Sequence, residues 1–342
     1  MRLGYVPALD GIRGGLIVAV IGVHYVGYPA GGYYSMEVFF ALSGFLITTL
    51  LLEEHDRTGR IARAAFYRRR AYRLLPALFT MLAVYAIAMW ASPVKAIEQV
   101  AAGASYATNI ILASGSHLLD GSPLLPLWSL AQEEQFYLLW PLLLVLLLAR
   151  RVRESRIAVA LACVFLALAV YRAGLGLAGA SMVRLYCGPD THADGLVLGC
   201  LLALVRRRGV RVPQLAGWLG LGALLAAYAL APPIGPPGPI AYGLAPMSIA
   251  STLLVGAAVQ PGFLSRCLSF RPLVWLGVIS YSLYVWHYVI LWLVGWRALF
   301  ALPLTLVVAT LCYYKVEKPL RTAFRSRRIP EALEVLPAPA QT

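Results

Sequence analysis

The segment SLAQEEQFYLLWPLLLVLLLA, residues 129–149, decides how the rest of the chain is read. Its second half, Leu138 to Ala149, carries no charge, and Arg150, Arg151, Arg153 and Arg156 follow at once. About 20 mainly apolar residues make a helix long enough to cross the hydrocarbon core of a bilayer. Basic residues collect on the cytoplasmic side of such spans. The whole chain agrees: of its 342 residues, 60% are hydrophobic and 13% charged, where soluble domains run to about 45–50% and about 25%. A soluble globule of this length cannot hide so much apolar surface. Disordered chains and secreted disulfide scaffolds are excluded on the same numbers.

Working outward from 129–149, further apolar stretches lie near 10–28, 35–52, 71–91, 157–174, 190–205, 214–231, 240–259, 272–293 and 297–316. The expected fold is all-α, a polytopic membrane bundle of about ten transmembrane helices. No cleavable signal peptide is evident ahead of the first span. A further segment, 97–112, is apolar but broken by Glu98, Gln99, Ser105, Thr108 and Asn109. Loop charge decides whether it crosses. If it does not, and the N-terminus is cytoplasmic, only Lys95, Arg172, Arg184 and Arg297 of the 29 basic residues lie outside. If it does, Arg150–Arg156 and Arg206–Arg208 flip outward. The segment 97–112 is therefore read as re-entrant or interfacial, with both termini cytoplasmic in the inner membrane. Residues 1–328 form the membrane domain, and 329–342, with Pro330, Pro337 and Pro339, read as a disordered tail.

The formal charge of +14 then means orientation in the membrane, and no nucleic-acid partner is expected. The five cysteines, Cys163, Cys187, Cys200, Cys267 and Cys312, sit in or beside apolar stretches without ligand spacing. They read as small hydrophobes, with no metal site and no disulfide framework.

Ionisable groups inside a bilayer cost about 2.5–3.5 kcal/mol each on insertion, so they mark where function is sought. Arg13 and His24 stand eleven residues apart on the first span, on one face and about 16 Å apart. Asp10 and Arg13 are one turn apart and can pair. His24 alone also suits a structural histidine, and Gly14 and Gly15 suit helix packing. Glu133 and Glu134 stand together with Gln132 and Gln135; Ser129 and Gln132 have capping-box spacing, and both glutamates also suit an interface. Arg68, Arg69, Arg70 and Arg73 crowd a helix entrance, as phosphate recognition requires, or as plain anchoring on anionic lipid would. Asp190, His192 and Asp194 match no zinc pattern, and Asp190 suits a helix cap. Ser280, Tyr281, Tyr284 and His287 recur every three or four residues and line one stripe of a helix.

These elements, in this order, resemble the acyltransferase-3 family of bacterial membrane O-acyltransferases. The likeness runs over 5–321 and rests on LDGIRG with Arg13 and His24, VFFALSGFLIT (38–48), RRRAYRLLPA (68–77), LWSLAQEEQFYLLWP (127–141), DTHADGLVLG (190–199), ISYSLYVWH (279–287) and VEKPLR (316–321). It implies acyl transfer, acetyl or another short acyl group, from acyl-CoA as co-substrate to a hydroxyl of a carbohydrate, glycan or glycosylated small molecule. The family motif falls on Arg13 and His24, and its glutamate on Glu133 and not Glu134. Two departures stand out: His192 replaces a usual arginine, which puts a charge partner for Asp194 in doubt, and Ser35-Met36 replaces a usual Gly-Val. The resemblance is to the stand-alone type, without an extracytoplasmic esterase-like domain.

The chemistry needs a base, an oxyanion holder and a phosphate cradle. His24 is the expected base or acyl-relay group, oriented by Glu133 or Asp10. Arg13 and Arg68, Arg69, Arg70 and Arg73 are expected to hold the CoA phosphates. Ser43, Asp194, Tyr281, Tyr284 and His287 are expected to line the substrate path. Direct transfer and a covalent acyl-histidine relay both fit. The alternative is a small-molecule transporter or exporter, though no repeated halves are visible.

Overall fold

A computed structural model describes residues 3–326; the tail expected at 329–342 lies outside the described residues. Helix α1 (Pro7–Val26) begins at a proline, whose missing N–H costs nothing in a first turn. It stops at Gly27, whose φ of 70° turns its N–H back toward the last carbonyls. After it come α2 (Ser35–Thr58), α3 (Arg63–Ala88) and two short helices, α4 (Pro93–Ala104) and α5 (Thr108–Ala113). Then follow α6 (Leu127–Ala149), α7 (Glu154–Leu177), the short α8 (Met182–Cys187), α9 (Asp194–Arg207), α10 (Gln214–Leu230) and α11 (Pro237–Ala258). The chain closes with α12 (Phe263–Leu268), α13 (Arg271–Val278), α14 (Ser280–Leu293), α15 (Ala298–Cys312) and α16 (Lys318–Ser326). No strand occurs among the described residues.

The bundle is built for hydrocarbon. Its outer surface is apolar, with Leu177, Leu230 and Leu299 each at least 80% exposed, while polar side chains are turned inward. Among the described residues six helices are long and apolar enough to cross a bilayer, and the α13–α14 pair makes a seventh, bent by 69°. Each of the ten expected segments is helical, but 272–293 covers the two helices α13 and α14 instead of one straight span. Those at 129–149, 190–205 and 214–231 fall on α6, α9 and α10, outside the six. In α6 the polar run Gln132–Gln135 interrupts the apolar stretch, and α9 and α10 are 14 and 17 residues long.

The segment 97–112 is two helices, not one. Between them Tyr106 has a φ of 54°, a conformation costly for any residue with a Cβ. The twelve residues of α4 rise about 18 Å, short of the roughly 30 Å of a bilayer core. Gln135 of α6 holds the break. Its Nε2 donates to the Tyr106 carbonyl at 2.9 Å, and it exchanges amide hydrogen bonds with Asn109 at 2.8 and 3.1 Å.

Two close helix contacts position the site. A Cβ on Gly14 of α1 would strike the Leu273 carbonyl of α13 and come within 3.1 Å of the Gly277 nitrogen, whereas Gly15 faces open space. Helices α2 and α9 meet as closely: a Cβ on Gly44 would strike the Leu196 carbonyl. Small residues let backbones approach where lipid provides no hydrophobic drive.

Candidate functional site

Helices α1, α2, α3, α6 and α14 enclose the polar interior. A cavity of about 170 Å3 is lined by Arg13, Ser43, Arg70, Arg73, Glu133 and Tyr281, among others. A mouth of about 400 Å3 adjoins it, sharing Arg70 and Arg73 and adding Arg57, Arg69, Glu53 and Glu54. A third cavity, of about 300 Å3, holds His24. Met36 and Tyr284 line both the Arg13 cavity and the His24 cavity, so they form the wall between them. Arg13 and His24 share a helix face but open into different chambers.

The hydrogen bonds around His24 settle its tautomer. His287 Nδ1 lies 2.6 Å from the Tyr284 carbonyl oxygen, which can only accept, so His287 carries its proton on Nδ1 when neutral. Its Nε2 is then a lone pair, 2.9 Å from His24 Nδ1. His24 must donate there, which leaves His24 Nε2 without a proton. The two rings stack at 5.0 Å, and Tyr25 donates to the His287 carbonyl at 2.7 Å. His287 is fully buried; it stands behind His24 and is absent from the lining of both chambers.

The groups expected to orient His24 are engaged elsewhere. Glu133 lies in the Arg13 chamber, accepting from Ser43 at 2.8 Å and Tyr137 at 3.4 Å. Asp10 pairs with Arg13 across one turn at 3.5 Å. His287, 263 residues away in sequence, takes the orienting place because α14 packs against α1. Glu134 forms an ion pair with Arg70, whose guanidinium also lies 3.2 Å from the centre of the Tyr137 ring. Arg69 pairs with Glu54 at 3.5 Å. Arg68 is not among the residues lining these cavities.

Ser129 is not a cap: α6 begins at Leu127, and the Ser129 hydroxyl lies 2.6 Å from Tyr284 Oη. Tyr284 itself donates to the Pro126 carbonyl, so Ser129 is the donor of that pair. Tyr281 donates to the Leu74 carbonyl at 2.8 Å. The side chain of Gln132 reaches the His192 carbonyl.

Asp194 lines none of these chambers. It is fully buried in an ion pair with Arg172, and His192 is buried against Glu37, which also accepts from Ser248. Arg172, expected on the outer side near the end of the stretch 157–174, is thus an interior residue of α7. The histidine in place of arginine is explained by Glu37, and the partner of Asp194 comes from another helix. Asp190 does not cap α9; in the loop ahead of that helix it accepts from Arg184 at 2.9 and 2.5 Å. Partial burial is the largest single effect and pushes its pKa up, but the Arg184 hydrogen bonds and charge, together with hydrogen bonds from its own backbone and from Tyr171, hold it below the usual carboxylate value.

Sequence reasoning missed Glu37, Arg172 and Glu317. Glu317, in the π-helical turn Tyr313–Glu317, is buried and accepts from Ser282 at 3.2 Å and Arg321 at 3.4 Å. A carboxylate inside an apolar stretch, like Glu37 in Ser35–Thr58, was the available signal.

Comparison with known proteins adds relatives. The family profile described as an acyltransferase domain matches residues 6–314. The chain is 32% identical to peptidoglycan O-acetyltransferase OatA of Listeria monocytogenes, over 93% of this chain and 56% of that protein. It is 32% identical to the putative peptidoglycan O-acetyltransferase YrhL of Bacillus subtilis, over 94% and 56%. It is 30% identical to O-acetyltransferase OatA of Staphylococcus aureus, over 93% and 57%. The chain thus spans about half the length of these curated relatives. No solved structure matches it.

Proposed function

The chain belongs to the acyltransferase-3 family, and from that premise we propose that it is a membrane O-acyltransferase moving an acetyl or other short acyl group from acyl-CoA to a hydroxyl of a carbohydrate or glycosylated metabolite. The observation that carries this reading is the Tyr284 carbonyl–His287–His24 chain, which leaves His24 Nε2 as a free base in a cavity. Peptidoglycan O-acetyltransferases among the relatives support a carbohydrate acceptor.

In the proposed reaction acyl-CoA enters through the arginine mouth from the cytosol, its phosphates drawn by Arg57, Arg69 and Arg73. Arg69 and Arg70 are partly neutralised by Glu54 and Glu134 and contribute less than Arg57 and Arg73. The acyl group passes the Met36–Tyr284 wall. His24 Nε2 takes the proton of the acceptor hydroxyl as its oxygen attacks the thioester carbonyl. The new C–O bond forms, the C–S bond breaks, and the proton leaves with the CoA thiolate. In a two-step relay the same Nε2 accepts the acyl group first. Both termini lie on the cytosolic side of the inner membrane in this arrangement.

Membranes containing the protein, supplied with radiolabelled acetyl-CoA and a panel of glycosides, test the reading. His24→Ala is expected to abolish label transfer with the protein level unchanged. Undiminished transfer by that variant overturns it.

A further inference from the structure

The wall made by Met36 and Tyr284 separates two chambers of opposite electrostatic character. On one side stand Arg13, Arg70, Arg73 and Glu133. On the other, among the described residues, no Lys, Arg, Asp or Glu lines the cavity around His24. Its walls are aromatic: Tyr33, Trp128, Tyr186, Tyr284 and Tyr288. Trp128 and Tyr186 meet at 4.5 Å between ring centres, and Tyr288 stands edge-on to His24 at 4.9 Å.

The charges just behind these walls are spent on one another. Trp128 and Tyr186 stack on His192, at 5.5 and 4.8 Å. Both His192 nitrogens are used, Nδ1 on the Tyr186 carbonyl at 2.6 Å and Nε2 on Glu37. On α8, Met182, Val183, Tyr186 and Cys187 face the cavity, whereas Arg184 is held by Asp190. An anionic or cationic acceptor entering here would shed its water and find no countercharge, a heavy penalty. An uncharged ring loses nothing of that kind and buries its apolar C–H face on the aromatic walls.

We infer that the acceptor moiety admitted to the His24 chamber is an uncharged, hydroxyl-bearing ring, such as a neutral sugar, and that uronic acids and phosphorylated sugars are excluded. This specificity rests on the acyl-transfer reading above, but it can be tested apart from it.

The probes are p-nitrophenyl β-D-glucopyranoside and p-nitrophenyl β-D-glucuronide, which differ only at C6. Equilibrium binding of each to the full chain in lipid nanodiscs is expected to favour the glucoside by about tenfold or more. Equal affinities, a preference for the glucuronide, or no glucoside binding at millimolar concentration overturns the inference. Met182→Lys places a cation in the same cavity and is expected to move the preference toward the glucuronide by about tenfold; an unmoved preference also overturns it. The acyl-transfer reading fails separately, as absence of label transfer from acetyl-CoA to any glycoside while the binding preference persists.

Discussion

His24 Nδ1 and His287 Nε2 lie 2.9 Å apart across the α1–α14 contact, and the Tyr284 carbonyl on the far side of His287 fixes which of the two donates. The relationship resembles the general pattern of a base oriented by a third group. Here the orienting group is a second imidazole, itself held by backbone.

That geometry predicts the effect of His287→Phe. The ring volume is roughly kept, but the acceptor for His24 Nδ1–H is lost. The His24 proton is then free to sit on Nε2, where it blocks base catalysis. Transfer is expected to fall by about 10²-fold or more in kcat, with the acyl-CoA KM little changed and thermal stability near wild type. A rise in KM alone, measured by initial rates in membranes, contradicts the orienting role.

Glu133 and Glu134 are neighbours with separable effects. Glu134 compensates the partly buried Arg70, and removing one partner of such a pair strands the other. Glu134→Gln is expected to lower stability by about 3 kcal/mol, read as a drop in the melting temperature of the detergent-solubilised protein. Glu133→Gln keeps an acceptor for Ser43 and is expected to leave melting unchanged while transfer drops by more than about tenfold. The reverse pattern would assign the structural role to Glu133.

The adjacent glycines of α1 are expected to respond with opposite sign. Gly14→Ala drives a methyl group into the Leu273 carbonyl, an overpacking cost of about 1–3 kcal/mol. Gly15→Ala meets open space and relieves the glycine entropy cost, a gain of about 0.5–1 kcal/mol. Thermal melts of the two variants beside wild type decide the matter.

The Arg184–Asp190 pair gives a pH dependence. The folded pKa of Asp190 is depressed, so its stabilisation is fully present above the unfolded carboxylate value and is lost as pH falls through the lower folded value. The pair is substantially exposed, at 29% and 49%, which limits it to about 1 kcal/mol or less. Wild type is expected to melt slightly above Asp190→Asn at pH 7, and the gap to close toward about pH 3. A constant gap across that range would remove the charge from the explanation.

Much of the site was legible from cost alone. Arg13, His24 and Glu133 stand out because ionisable groups in apolar helices are expensive, and Arg13 and Glu133 do converge on one cavity. The segment 97–112 was legible as unsuited to crossing because its polar residues interrupt any apolar run, and it is two short helices held by Gln135. The placements that missed were pairings. Asp194 and His192 are neighbours in sequence but answer to Arg172 and Glu37 on other helices.

The sequence by itself determined an all-α membrane bundle, the family it belongs to, and the short roster of polar residues within it. Hydropathy and spacing suffice for this because a helix in lipid satisfies its backbone locally and shows its cost residue by residue. Only the tertiary structure decided that Arg13 and His24 face different chambers, that Met36 and Tyr284 divide them, and that His287 orients His24. Those relations depend on which helix faces approach and how closely. Contacts such as that between Gly14 and Leu273, 259 positions apart, arise from packing between helices, which no local periodicity encodes.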